Sequence, residues 1–147
     1  MLNTYPSIEP EAFFNLVGDT KARLVWDHRW VKGSIIKEDG DSVTMHCFSP
    51  KPPVPMVSER EFVTQIFNLR DVPAPGLFFN LAHSVNDPSK PVATGMFATP
   101  RGLVEVQGLL IEANPNGKGT KTTEVRSMNM GGSIPGAVIG KMKEGMA

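Results

Sequence analysis

Between residues 31 and 130 apolar and polar positions alternate in short runs, whereas near both ends of the chain apolar residues recur at intervals of three and four. The first pattern is that of half-buried strands and the second that of amphipathic helices. Phe13, Leu16 and Val17 share one helical stripe after a start at Ser7, Glu9 and Pro10, and Gly18 is a natural stop. Asp19 is placed to cap a second helix through Lys21 to Trp26, too short to stand without packing; Leu24 and Trp26 are predicted inward, Lys21 and Arg23 outward. Leu2 to Tyr5 is too short to assign. Residues 31–37 and 42–48 flank the turn Glu38-Asp39-Gly40-Asp41 and read as a hairpin. Strands are further predicted over 62–69, 77–85, 92–98, 102–113 and 121–130, with a bulge at Gly108. Four prolines within Ser49 to Met56 exclude helix and central strand and predict a stiff exposed crossing. After Gly131-Gly132 a last helix opens with Ser133 or Ile134 at the cap and Pro135 in the first turn, and carries the stripe Val138, Ile139, Met142 and Met146.

Helices, then an antiparallel meander of about six strands, then a helix with an apolar face is an α+β pattern. The sheet is expected to curl around the last helix. A length of 147 residues suits one domain, residues 1–147, with a single core. Lys+Arg and Asp+Glu both number 15, and no basic stripe is present, which argues against nucleic acid and against a strongly anionic membrane as main partner. The lone Cys47 excludes an internal disulfide framework. The first residues lack the pattern of a signal or transit peptide, and no apolar run approaches the roughly 20 residues that span a bilayer. A soluble, cytoplasmic protein is expected.

Several short motifs fall in a fixed order. Trp26-Asp27 follows a helix; Pro55-Met56-Val57-Ser58-Glu59-Arg60-Glu61-Phe62-Val63 leads into the strand over 62–69; Ser84-Val85-Asn86-Asp87-Pro88, Gly95 and Met130-Gly131-Gly132-Ser133-Ile134-Pro135 come later. In this order and spacing the chain resembles the StAR-related lipid-transfer (START) domain family, whose signature Pro-Val-Ser-x-Arg-Asp-Phe-Val is matched with Glu61 in place of Asp. The resemblance implies a helix-grip fold. It also implies a truncated or minimal member, without the usual N-terminal helix and first strands, and with Ser133 where the family often has Trp. In some cholesterol-binding members an Arg and a Glu form a buried ion pair; by count from Arg60 their positions are Ile66 and the neighbourhood of Cys47, so that pair is absent here.

A sheet gripping an amphipathic helix encloses an apolar pocket, and the resemblance implies that the pocket takes one lipid or sterol-like ligand, to carry between membranes or to sense. Its expected walls are Met45, Cys47, Phe62, Ile66, Phe79, Val138, Ile139 and Met142. Asp27 is a candidate headgroup contact, Arg60 and Glu61 a structural clasp, and Val54 and Met56 the gate that touches a membrane first. Two other readings stand beside this one. The first is an interaction module, its pocket ligand-gated or empty, with a homodimer through the surface that missing strands would expose. The second is a small enzyme of the wider helix-grip superfamily. Against the enzyme, His46 and Cys47 are strand neighbours and point to opposite faces, so they cannot form a dyad. His28, His46 and His83 show no metal-ligand spacing, and no cofactor is expected.

Overall fold

The structure is a computed structural model, described here for residues 1–49 and 57–132. Strand β1 (Leu2–Tyr5) precedes helices α1 (Pro10–Gly18) and α2 (Thr20–Trp26). Six further strands follow: β2 (Lys32–Asp39), β3 (Ser42–Phe48), β4 (Glu61–Arg70), β5 (Phe78–Ser84), β6 (Leu103–Ala113) and β7 (Thr120–Asn129). They form one antiparallel sheet in the order β1-β7-β6-β5-β4-β3-β2. From β2 to β7 this is a meander in which each strand pairs with its successor. Only β1 departs, because it reaches past the whole sheet to lie on β7, with Leu2 opposite Thr123 and Tyr5 opposite Thr120.

The register sorts the side chains into two faces. Val43, Met45 and Cys47 lie opposite Ile66, Thr64 and Phe62; Ile66 and Asn68 lie opposite Ala82 and Asn80; Asn80 and Phe78 lie opposite Leu109 and Ile111. Directly paired residues share a face, so this set forms one side, on which both helices pack. Leu24 of α2 packs on the cluster Met45, Cys47, Phe62, Ile66 and Val104. Phe14 of α1 is buried with Phe78 and Ile111, its ring stacked on Phe78 at 5.0 Å. Arg70 pins the same helix from the end of β4: it lies over the Phe14 ring, pairs with Glu11 at 2.7 Å and donates to Asn15.

The helix boundaries follow from local chemistry. Asp19 ends α1 and caps α2, accepting from the Ala22 amide at 2.9 Å. Glu9 precedes Pro10 at the first helical position, without a side-chain cap bond. Gly119, at φ +87°, lets the β6–β7 turn pass the N-terminal segment, where a Cβ would sit 2.2 Å from the Tyr5 carbonyl oxygen.

Several expectations change. Residues 92–98 form no strand; Gly95 instead opens a turn closed by the Ala98 amide on the Gly95 carbonyl at 3.2 Å. Among the described residues the sheet has seven strands because β1 takes that place, a pairing that spans nearly the whole chain and leaves no trace in a four-residue window. Gly108 pairs regularly with Leu81 and Val125, and the irregularity in β6 falls between Val104 and Val106. Arg23 turns inward and is buried, whereas Trp26 stays partly exposed. The final helix, with Val138, Ile139, Met142 and Met146, and the gate residues Val54 and Met56 lie outside the described residues.

Candidate functional site

Four of the predicted wall residues meet. Met45, Cys47, Phe62 and Ile66 join Val104 in one buried cluster, flanked by Leu24, Trp30, Ala82, Met128 and Met130. The Phe62 ring stands edge-on to Trp30 at 5.8 Å and fills the space beside Gly102, where a Cβ would come within 2.2 Å of it. Ile66 and Cys47 are therefore part of a closed apolar core. Phe79 does not join them. It pairs with Leu69 and Leu110 and so faces the other side of the sheet, while Phe78 faces the helices. A one-residue step along a strand reverses the face.

Next to this cluster, on the same side, a cavity of about 370 Å³ opens between the two helices and strands β1, β5, β6 and β7. Tyr5, Phe13, Leu16, Val17, Trp26 and Leu109 supply its apolar lining. Asn3, Asn80, Gln107, Thr122 and Glu124 project from the sheet, and Arg23 and Arg29 come from α2 and the segment after it. Asn80 is fixed by a 2.7 Å hydrogen bond from its amide to Asn68 Oδ1, and Asn68 in turn donates to the Gly18 carbonyl at 3.3 Å. Sequence reasoning missed the sheet-borne lining. The available signal was polar residues at alternate positions of otherwise apolar strands, but which face those positions occupy depends on the register with β4.

Asp27 is buried and already engaged. Its carboxylate accepts from Arg29 Nε at 2.7 Å and Nη2 at 2.6 Å, from Arg23 Nη2 at 3.2 Å, and from the Arg29 amide at 3.2 Å. Burial acts to raise its pKa, but the hydrogen bonds and charge of Arg29, with the charge of Arg23, outweigh that and hold it below the usual carboxylate range. Arg23 also donates to the Val17 carbonyl at 3.3 Å, and its burial lowers its own pKa. Asp27 therefore holds two guanidinium groups, and of the three groups it is the arginines that line the cavity.

Arg60 and Glu61 are both buried, but they bind different neighbours because successive strand positions face apart. Arg60 donates to the Ser58 carbonyl at 2.6 Å and, 70 residues away, to the Met130 carbonyl at 3.1 Å. Glu61 accepts from Arg101 at 3.0 Å and 3.1 Å and meets His46 Nε2 at 3.0 Å. The clasp is thus double: Arg60 ties the end of β7, and Glu61 ties the segment entering β6. Burial acts to raise the Glu61 pKa, but hydrogen bonds from His46 and Arg101 bring it below its ordinary value.

Cys47 lies opposite Phe62 on the helix side, whereas His46 lies opposite Val63 and bonds Glu61 on the other side. Burial pushes the Cys47 thiol up to about 12, and the thiol, unlike the thiolate, is a poor nucleophile. In the native protein Cys47 should stay unmodified by an aromatic disulfide reagent at pH 8 and react fully once urea unfolds the chain. Rapid labelling without denaturant would contradict its placement in the core. Among the described residues no group of three or more His, Cys, Asp or Glu side chains is arranged to hold a metal ion, and no helix is long and apolar enough to cross a membrane.

The antiparallel sheet with two helices on one face matches the fold of solved START-domain structures. The chain superposes on human StAR-related lipid transfer protein 5 with a TM-score of 0.79 at 18% identity, covering 97% of this chain and 66% of that one. Against human STARD10 the TM-score is 0.78 at 18% identity, covering 99% and 56%. A STAR-related lipid transfer protein fragment from Xanthomonas axonopodis gives 0.70 at 16% identity, covering 97% and 74%. The chain thus spans between about half and two thirds of the length of the two human structures. No protein-family model and no curated protein sequence matches it.

Proposed function

We propose that the chain binds one lipid or sterol-like molecule in the cavity on the helix side of the sheet and carries it between membranes. The observation that carries this reading is the cavity itself: about 370 Å³, lined by apolar and polar side chains in similar number, in a fold whose solved examples include proteins named as StAR-related lipid-transfer proteins. Its size falls within the roughly 300–1,000 Å³ of small-molecule sites. Burying an acyl chain or ring system there gains about 25 cal/mol per Å² of apolar surface, so binding needs no covalent step and no catalytic group. The proposed activity is carriage without turnover.

Membrane contact is assigned to one end of the sheet. The β3–β4 and β5–β6 connections both leave it there, joined by Glu61 and Arg101. The second connection carries Met96 and Phe97 on its turn, 90% and 96% exposed. An adjacent apolar pair at a turn tip suits shallow insertion into a bilayer, and a chain of zero net charge should dock with little dependence on salt.

Two variants separate binding from docking. Leu109→Trp fills the cavity and should reduce binding of a fluorescent lipid at least about tenfold, as expected when an apolar site of this kind is blocked. Phe97→Asp should leave binding intact and slow transfer between neutral vesicles. Full binding by a folded Leu109→Trp protein would remove the cavity from the proposal. The second reading, an interaction module, is favoured by the edge position of β1, whose outer side has no partner strand among the described residues. A ligand-free dimer in solution, with no lipid uptake, would support it instead.

A further inference from the structure

We propose that two copies of this chain associate through the outer face of the sheet, the side turned away from both helices, with Leu81 of each copy seated at Gly108 of the other. This goes beyond the lipid-binding reading and does not depend on it, because the cavity opens on the opposite face. An antiparallel sheet with one free face normally carries polar residues there. Here the register does the reverse. Phe67, Leu81, Gly108 and Val125 are direct neighbours across β4, β5, β6 and β7; in the adjacent row Leu69, Phe79 and Leu110 lead to Thr123. Val125 is 62% exposed and the larger apolar side chains beside it are half-buried, while among the described residues both helices pack on the other face. Neither row holds a charged group, and Glu112 and Lys121, beyond the second row, pair with each other. The patch therefore suits an apolar partner rather than a charged one.

Its shape is complementary to itself. Gly108 leaves a notch in the first row, where a Cβ would meet only the tip of Leu81, at 3.4 Å. Two such sheets can pack with their strands aligned to within about 30°. A two-fold axis running along the strands between β5 and β6 then sets Leu81 of one copy against Gly108 of the other, and Phe67 against Val125. In the second row Phe79 meets Leu110 and Leu69 meets Thr123. Since β4 and β5 carry the larger side chains and β6 and β7 the smaller, every contact joins large to small, as interdigitating layers require, and the symmetry repeats each contact. The outer positions of β1 and β4 to β7 span roughly 600 Å², at about 4.8 Å between strands and about 6.8 Å along them. That is most of the roughly 800 Å² that each partner of a standard interface buries.

Sedimentation of the full chain at tens of micromolar should show a species of twice the 16.0 kDa chain mass. Leu81→Lys puts a charge at the centre of the interface and Gly108→Val fills the notch. Each should weaken the dimer at least about thirtyfold, the effect of losing a central interface contact, with lipid uptake and circular dichroism as in the wild type. Phe67→Cys and Val125→Cys combined in one chain place their sulfurs on strands β4 and β7, about 14 Å apart and too far to bridge within a copy, so mild oxidation should join two copies. A wild type that sediments as a monomer, or a dimer indifferent to both single substitutions and without the cross-link, would overturn the proposal. A monomer that binds neutral phosphatidylcholine vesicles and loses them in Leu81→Lys would overturn it in favour of a bilayer on this face. A dimer with the expected sensitivities but no lipid uptake would remove the lipid reading and leave the interface standing.

Discussion

Replacing Phe62 with alanine is expected to destabilise the protein by about 3–5 kcal/mol, the range for removing a large buried aromatic side chain. Phe62 has no exposed surface, touches Trp30 edge-on and occupies the space that the missing side chain of Gly102 leaves open. The backbone segment at Gly102 is fixed from the other side, its amide donating to the Glu61 carbonyl at 2.8 Å, so it cannot close the hole. Urea unfolding would measure the loss. Phe79→Ala provides the control, since that half-buried residue faces the opposite side and should cost clearly less. Equal costs for the two would mean that the helix-side cluster is not the core of the domain.

Asp27→Ala should have an effect of similar size for an electrostatic reason. Removing one partner from a buried ion-paired group costs about 3–5 kcal/mol, because the charge left behind has lost its counterion but not its desolvation. Here the abandoned group is Arg23, of which only 8% is exposed; Arg29, half exposed, recovers water. Asp27→Ala combined with Arg23→Met should therefore be more stable than Asp27→Ala alone. Additive losses in this cycle would show that the two do not interact. The same carboxylate contributes to acid sensitivity. Its folded pKa lies below the unfolded value, so its stabilisation is present above about pH 4 and is lost as pH falls through the folded pKa. Asp27→Asn should flatten that part of the stability profile, and Glu61, depressed by His46 and Arg101, should behave in the same way.

Those two residues also mark where sequence reasoning reached its limit. Phe62 was expected to line a pocket, and period-two alternation put it on one face with Ile66; that shared face holds, but both residues lie in the closed core and not in the cavity lining. Asp27 stood out by its motif, but its partners did not: Arg23, one helical turn earlier, reads as a solvent-facing residue until α2 is laid on the sheet and that face becomes the buried one. For Phe79 the local pattern was ambiguous, since Phe78 and Phe79 are equally apolar, and only the pairing of Asn68 with Asn80 fixes which of them points to the helices.

Read from the chain alone, local chemistry determined most of the elements. The caps at Asp19 and Pro10, the hairpin over residues 32–48 and the long strands β4, β6 and β7 follow from turn residues and apolar period, which act over a few positions. Motif order pointed to the START architecture that the superpositions bear out as a fold. Tertiary structure alone decided the placement of β1 on β7, the partners of Arg60 and Glu61, and the composition of the cavity. Each joins residues far apart in sequence: Leu2 with Thr123, Arg60 with Met130, Trp26 with Glu124. Such contacts depend on strand register and on which helix face is buried, and those are set when the whole core packs together, beyond the reach of any local window.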